Sequence, residues 1–288
     1  MITTRLPSGW SFLMREIVYR EFSQEDLDAA YDNTRAVFES AKILEGFEIR
    51  SAEIAAAFPD TMDIPYGTLP REKIDYFPGN PGSPILVFIH GGYWQMRRKE
   101  TFRFLAKGPL SLGFHVASVG YTLAPNASLT EIVQEIRSAL DFLRKNAGRF
   151  GADVSRIFVS GWSAGAHLAV SVLSEKNVCG ALAISGIYDL LPISKSYLNK
   201  SLSLSECEIQ NLSPMRSPCI AKPVVVACGA DELPELRRQS LEFAELRSRE
   251  RIPGYFAELP GKNHFSILEE LENPNGILTL LLKILSVS

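Results

Sequence analysis

Ser163 lies in a G-x-S-x-G pentapeptide, Gly161-Trp162-Ser163-Ala164-Gly165, between the apolar run Ile157-Phe158-Val159 and the small-residue stretch Ala166–Ala169. A strand, a sharp turn and a helix form the context in which such a serine becomes a nucleophile. Glycines two positions to either side relieve crowding in the turn. The turn lifts the hydroxyl clear of the backbone and aims a helix N-terminus at developing negative charge. The competing reading is a Gly/Ser-rich turn without chemistry. The flanking strand and helix favour the nucleophile.

A second motif points the same way. The apolar run Pro84–Ile89 leads into His90-Gly91-Gly92-Tyr93-Trp94. A glycine pair after a buried strand lets the backbone approach a carbonyl substrate. N–H groups of Gly91, Gly92 and Tyr93, with that of Ala164, are the expected oxyanion donors. His90 itself is expected to hold the turn by bonding backbone.

A serine nucleophile needs a base and a group to orient that base. The chain has four histidines, at 90, 115, 167 and 264. His115 falls inside an expected strand, where core packing is the simpler reading. His167 is four residues past Ser163 on the same helix and projects away from the hydroxyl. His264, in Gly261-Lys262-Asn263-His264-Phe265, follows an acid-bearing strand end, as the order serine, acid, histidine requires. The acid is Asp231 or Glu232, both just past the apolar run Pro223–Cys228. Adjacent side chains on extended backbone diverge, so only one of them can face His264.

The elements that must position these groups alternate. Strands are expected over 73–77, 84–89, 114–119, 156–160, 181–185, 223–228 and 255–259. Helices are expected over 99–112, interrupted near Gly108-Pro109, and over 128–150, 164–173, 235–249 and 267–285. Ser128-Leu129-Thr130-Glu131 fits a capping box. This alternation predicts an α/β fold with a mainly parallel central sheet flanked by helices. Residues 23–58 read as a helical accessory or lid segment. Residues 187–218 break the rhythm and read as a substrate-shaping insertion.

Composition bounds the alternatives. The 288 residues are 46% hydrophobic and 22% charged, with a net charge of -3. That is ample material for a core, within a single domain over 1–288. The short cluster Arg97-Arg98-Lys99 reads as a solvated turn, and no basic block suggests nucleic acid or an anionic membrane. No run is long enough to span a bilayer. Residues 1–5 lack the start of a secretory leader. Cys179, Cys207, Cys219 and Cys228 show no CxxC spacing and read as reduced thiols. A cytoplasmic location is the expectation, and a homodimer is compatible with it.

Taken in order, HGGYW, GxSAGxHLA, Ser185–Leu190 (SGIYDL), Pro234–Ser240 (PELRRQS) and Asn263–Phe265 (NHF) resemble the arylformamidase, or kynurenine formamidase, group of α/β-hydrolases. That group neighbours the hormone-sensitive-lipase-like esterases. The resemblance covers nearly the whole chain, including Ala30-Tyr31-Asp32-Asn33. It implies the α/β-hydrolase fold, hydrolysis of N-formylkynurenine or related aryl formamides and small aryl esters, and no metal or organic cofactor. It carries the nucleophile onto Ser163, the histidine onto His264 and, counting back from Arg238-Gln239-Ser240, the acid onto Glu232 ahead of Asp231. The chain departs from the group at Trp162, where a histidine or small polar residue is usual, and at Tyr121-Thr122. Both departures reshape the pocket.

Trp94, Trp162, Tyr188 and Phe265, with Tyr93, flank the motifs. They are the aromatic candidates for stacking on a planar substrate, against plain core packing. The leading reading is a serine hydrolase of a small-molecule aromatic amide or ester. The alternatives are a short-chain carboxylesterase, a biosynthetic acyl-transfer or cyclising enzyme on the same triad, and a non-catalytic binding protein of the same fold.

Overall fold

The computed structural model describes residues 16–287. The reading of residues 1–5 lies outside that range. Strands β1 (Ile17–Tyr19) and β2 (Phe22–Ser23) form a small antiparallel ribbon. The main sheet comprises β3 (Ile64–Pro65), β4 (Lys73–Phe77), β5 (Ile85–Ile89), β6 (His115–Val119), β7 (Ile157–Trp162), β8 (Val178–Ile184), β9 (Val224–Gly229) and β10 (Gly254–Leu259). Its order is β10-β9-β8-β7-β5-β6-β4-β3. The strands from β10 to β6 run parallel, and β4 and β3 are antiparallel at one edge.

The apolar runs become inner strands because both faces are covered. Along β5, Ile85, Val87 and Ile89 join one core layer, while Leu86 and Phe88 join the other. The first layer packs under α5 (Leu129–Asn146), α6 (Ala164–Ser171) and α10 (Pro234–Arg249), through residues such as Ile132, Leu168 and Phe243. The second packs under α3 (Ser40–Ala56) and α12 (Ile277–Leu285), through Phe47 and Leu282. Ser128 starts α5 with the expected capping box, the Glu131 side chain returning to the Ser128 backbone.

The segment 23–58 is helical in three pieces, α1 (Gln24–Ala29), α2 (Asn33–Ala36) and α3. The insertion contains three short helices, α7 (Leu191–Lys195), α8 (Asn199–Leu202) and α9 (Glu206–Asn211).

Three expectations change. Residues 99–106 form a 3₁₀ helix that passes into α4 (Lys107–Ser111) before Gly108-Pro109. Pro109 is tolerated there because the first turn of a helix leaves its N–H groups unused. The last helix is broken into a 3₁₀ turn at Ser266–Leu268, α11 (Glu269–Glu272) and α12. Pro274 forces the residue before it out of the helical region, and Asn273 is extended at ψ 124°. Finally, Lys99 is not solvated. It is 3% exposed, and its Nζ bonds Asp63, Asp75 and Glu100 at 2.8, 2.7 and 2.9 Å.

Candidate active site

The ends of β5, β7, β8, β9 and β10 point the same way, and the loops beyond them meet. Ligands of open parallel sheets bind outside these carboxyl ends. Ser163 is the N-cap of α6 and adopts φ 58°, ψ -120°, a strained conformation for a residue with a Cβ. The neighbouring glycines make the turn possible. A Cβ on Gly161 would collide with the Gly165 carbonyl, and one on Gly165 with the Ile89 carbonyl. The nucleophile turn is thus pressed directly against β5.

The turn after β5 lies alongside. A Cβ on Gly91 would come 2.6 Å from the Trp162 carbonyl and 3.0 Å from the Ser163 Cβ. Gly92, Tyr93 and Trp94 have φ of 109°, 49° and 58°, so the backbone coils back on itself. Among the described residues, no acceptor takes the backbone N–H of Gly91, Gly92, Tyr93 or Ala164. Unbonded N–H groups of this kind are what an oxyanion requires.

His264 and Glu232 come together at the other rim. His264 Nδ1 and Glu232 Oε2 are 2.8 Å apart, and both side chains are almost wholly buried. The other carboxylate oxygen, Oε1, accepts from Ser185 Oγ and from the Gly229 N–H, each at 2.6 Å. Asp231 is exposed, and the bond to the imidazole comes from Glu232 instead. The loop carrying His264 is held by Asn263, whose Oδ1 accepts from the N–H groups of Phe265 and Ser266, both at 2.9 Å. Trp162 Nε1 donates to the His264 carbonyl at 2.7 Å, and its ring centroid is 4.7 Å from the imidazole. Ser163 and His264 line one cleft, without a direct hydrogen bond between Ser163 Oγ and the imidazole.

The remaining histidines are occupied elsewhere. His90 Nδ1 meets the Gly91 carbonyl at 2.8 Å, and the ring stacks on Tyr121. Burial lowers its pKa to about 3. His167 bonds the Leu212 carbonyl through Nε2, and burial lowers its pKa to about 4. His115 lies in β6 between the Tyr76 hydroxyl and the Asn80 carbonyl.

The cleft over Ser163 is lined by Asn33, Gly92, Tyr93, Trp162, His264 and Phe265, among others. Its free volume is about 20 Å³, enough for about one water. Larger cavities of about 530 Å³ against β10 and about 910 Å³ beside α1 contain neither Ser163 nor His264.

Two aromatic expectations are corrected. Trp94 is fully buried and meets His167 edge-on at 5.0 Å. Tyr188 is buried under α10, stacked on Phe243 at 4.3 Å. Each sits beside a site residue in sequence but turns inward to the core. Three contributors were not legible as such: Ser185, Asn33 and the indole N–H of Trp162. Ser185 opens the SGIYDL stretch at a strand end with φ 52°, and that placement is the signal that could have found it. Among the described residues, no three His, Cys, Asp or Glu side chains gather to hold a metal ion.

A family model described as BD-FAE matches residues 76–183. A kynurenine formamidase of Danio rerio is 34% identical over 245 residues, covering 79% of this chain and 82% of that protein. One from Salmo salar is 29% identical over 303 residues, covering 98% and 100%. Among solved structures, a thioesterase candidate from Silicibacter sp. TM1040 superposes with a TM-score of 0.79 at 27% identity, covering 90% of this chain and 99% of that one. Esterase LipW from Mycobacterium marinum gives 0.70 at 20% identity, covering 88% and 91%. It bears on the fold alone.

Proposed function

The chain belongs to the kynurenine formamidase family of α/β-hydrolase enzymes, and from that membership we propose that it hydrolyses a small aryl formamide, of the N-formylkynurenine kind, through an acyl-enzyme at Ser163. The observation that carries the reading is the Glu232–His264 pair facing the strained Ser163 across one cleft.

In this mechanism Ser163 Oγ attacks the formyl carbon and its proton passes to His264 Nε2. Glu232 holds the proton on Nδ1 and stabilises the imidazolium. Its second oxygen is already satisfied by Ser185 and Gly229, so the carboxylate cannot turn away. The carbonyl oxygen becomes an oxyanion and is met by N–H groups of Gly91, Gly92, Tyr93 and Ala164. Donors set in advance for that charge are worth about 3–4 kcal/mol each in related sites. Collapse breaks the C–N bond, and the nitrogen leaves as an amine with the proton from His264. Water, deprotonated by His264, then releases formate and restores Ser163. Trp162 and Phe265 flank the reacting carbon and offer apolar surface for a planar ring.

A second reading is a short-chain carboxylesterase on the same residues, since the Ser163, His264 and Glu232 arrangement and the unbonded N–H groups serve an ester carbonyl equally. The deciding experiment compares kcat/KM for a ring-matched aryl formamide and aryl acetate, in the wild type and in Ser163→Ala. Turnover of the formamide that disappears with Ser163 supports the first reading. Ester turnover with none on the formamide leaves the second. Among the described residues no helix is long and apolar enough to cross a membrane. Cytoplasmic residence and a homodimer belong to the same proposal, checked by fractionation and by the mass of the protein in solution.

A further inference from the structure

The side-chain amide of Asn33 is nearly sealed from solvent and lines the cleft that holds Ser163 and His264. Its Nδ2 donates to Tyr93 Oη at 2.8 Å, and Tyr93 Oη donates to the Tyr31 carbonyl at 2.7 Å. These bonds fix which way the amide faces. A phenol has one proton, and a carbonyl can only accept. The Tyr93 proton is committed to Tyr31, so the phenol oxygen must accept from Asn33. Turning the amide over would set two acceptors against each other. Oδ1 is therefore the atom left over, and it is buried without a partner among the described residues, on a side chain that lines the cleft. Buried acceptors are nearly always satisfied, and one that is not, on a residue lining a reactive cleft, is open to a donor brought by a ligand or a water.

Resting on the formamidase reading, we propose that Asn33 Oδ1 accepts a hydrogen bond from the N–H of the scissile formamide, and so selects N-acyl aryl amines over aryl esters. An ester places an oxygen at that position. It brings no proton and sets a lone pair against Oδ1. Sites built to bond a substrate N–H reject analogues that lack it far more strongly than apolar pockets reject a misfit. The bond also orients the nitrogen. With N–H held by Asn33, the lone pair that develops in the tetrahedral intermediate is left for the proton on His264 Nε2. That transfer completes C–N cleavage, releasing the arylamine and leaving the formyl group on Ser163 Oγ.

The test separates this role from a merely structural one through Tyr93. Asn33→Ala should lower kcat/KM for an aryl formamide roughly 10- to 100-fold, the loss expected for one buried hydrogen bond. The ratio of that constant to the one for the ring-matched aryl acetate should fall roughly 10-fold or more, since any loss through the Asn33–Tyr93 bond is common to both substrates. A role only in supporting the Tyr93 turn would lower both together, since both substrates use the same oxyanion donors, and that result overturns the proposal. Asn33→Asp keeps an acceptor and loses the donor to Tyr93. It should preserve the amide-to-ester ratio even if both rates fall, and a collapsed ratio counts against the proposal. N-methylation of the formamide removes the same proton without altering the protein. Wild-type enzyme indifferent to it overturns the proposal regardless of how the variants fold. A wild type that cleaves the ester but no formamide defeats the formamidase reading and the selection with it. A wild type that cleaves formamide, with an unchanged ratio in Asn33→Ala, defeats only the assignment to Asn33.

Discussion

Glu232 makes three bonds with two oxygens, and each bond constrains the next. Glu232→Gln is expected to keep the geometry and lose the chemistry. The Gly229 N–H and Ser185 Oγ need an acceptor, so they would claim the amide oxygen and turn the NH₂ toward His264. The imidazole would then carry its proton on Nε2, where it cannot accept one from Ser163. A fall in kcat of about 10⁴-fold is expected, the size seen when a triad carboxylate becomes an amide. Asp231→Asn, at an exposed position, should change kcat by less than about threefold. Steady-state rates of the two variants side by side decide the ranking. Ser163→Ala should lower kcat by roughly 10⁴-fold or more and abolish labelling by an organophosphate. Labelling that persists on another serine would refute the nucleophile.

At the scale of elements, His90 at the start of the turn after β5 stacks at 6.2 Å on Phe102 of the 3₁₀ helix 99–106. That helix is anchored to β4 through Asp75, which is fully buried. Asp75 accepts from Lys99 Nζ at 2.7 Å, Arg103 Nε at 2.6 Å and the Asp63 N–H at 2.8 Å. Asp75→Ala would leave Lys99 with Asp63 and Glu100 but take away the buried acceptor it shares with Arg103 and the Asp63 N–H, and is expected to cost about 1–3 kcal/mol in urea unfolding. The same cluster sets an acid limit. Burial acts to raise the pKa of Asp63 and of Glu100, but the hydrogen bond and charge of Lys99 outweigh it and hold both below their ordinary values. Both carboxylates therefore stabilise the fold above their unfolded pKa values, near pH 4, and that contribution fades as pH falls through the lowered ones. Melting temperature should decline below about pH 4, and less steeply in Lys99→Met. Equal slopes would remove this cluster as the cause. The inner strands were legible because burial on both faces leaves unbroken apolar runs. Ser163, His264 and the two candidate acids could be picked out because chain order and local turn chemistry single them out. Trp94 and Tyr188 misled because closeness to a motif in sequence says nothing about which way a side chain turns. Asn33 was invisible as a cleft residue because only tertiary packing brings α2 to the end of β5.

Across the whole molecule, the two segments outside the strand–helix alternation hold each other. Asp28 Oδ1 accepts from the Tyr197 N–H at 2.8 Å, Gln24 Nε2 donates to the Lys195 carbonyl at 2.9 Å, and Lys195 Nζ to the Val18 carbonyl at 2.9 Å. Tyr31 Oη reaches Glu235 on α10 at 3.2 Å. The cleft is lined by Asn33 and Thr34 from the N-terminal side and by no residue of 187–218. In the proposed enzyme the insertion shapes the substrate site at one remove, by bracing the segment that roofs it. So small a cleft should favour formyl and acetyl groups. Each methylene that cannot be housed is expected to cost about 1–3 kcal/mol in the transition state. The measurement is kcat/KM for acetyl, butyryl and octanoyl esters of one phenol. A level or rising series would mean that the roof opens freely.

The indole of Trp162 against His264 has an optical consequence. The indole and the imidazole are in ring contact, so Trp162 emission should respond to a change in what surrounds His264 without any added probe. The chain has three tryptophans. Trp94 meets His167 instead and does not line the cleft, so acylation there should leave its emission unchanged. Comparing the wild type with Trp162→Phe should therefore isolate the Trp162 contribution by difference. Formation of the acyl-enzyme, which changes the company of His264, should then be visible in a stopped-flow trace of the wild type as a change in tryptophan light.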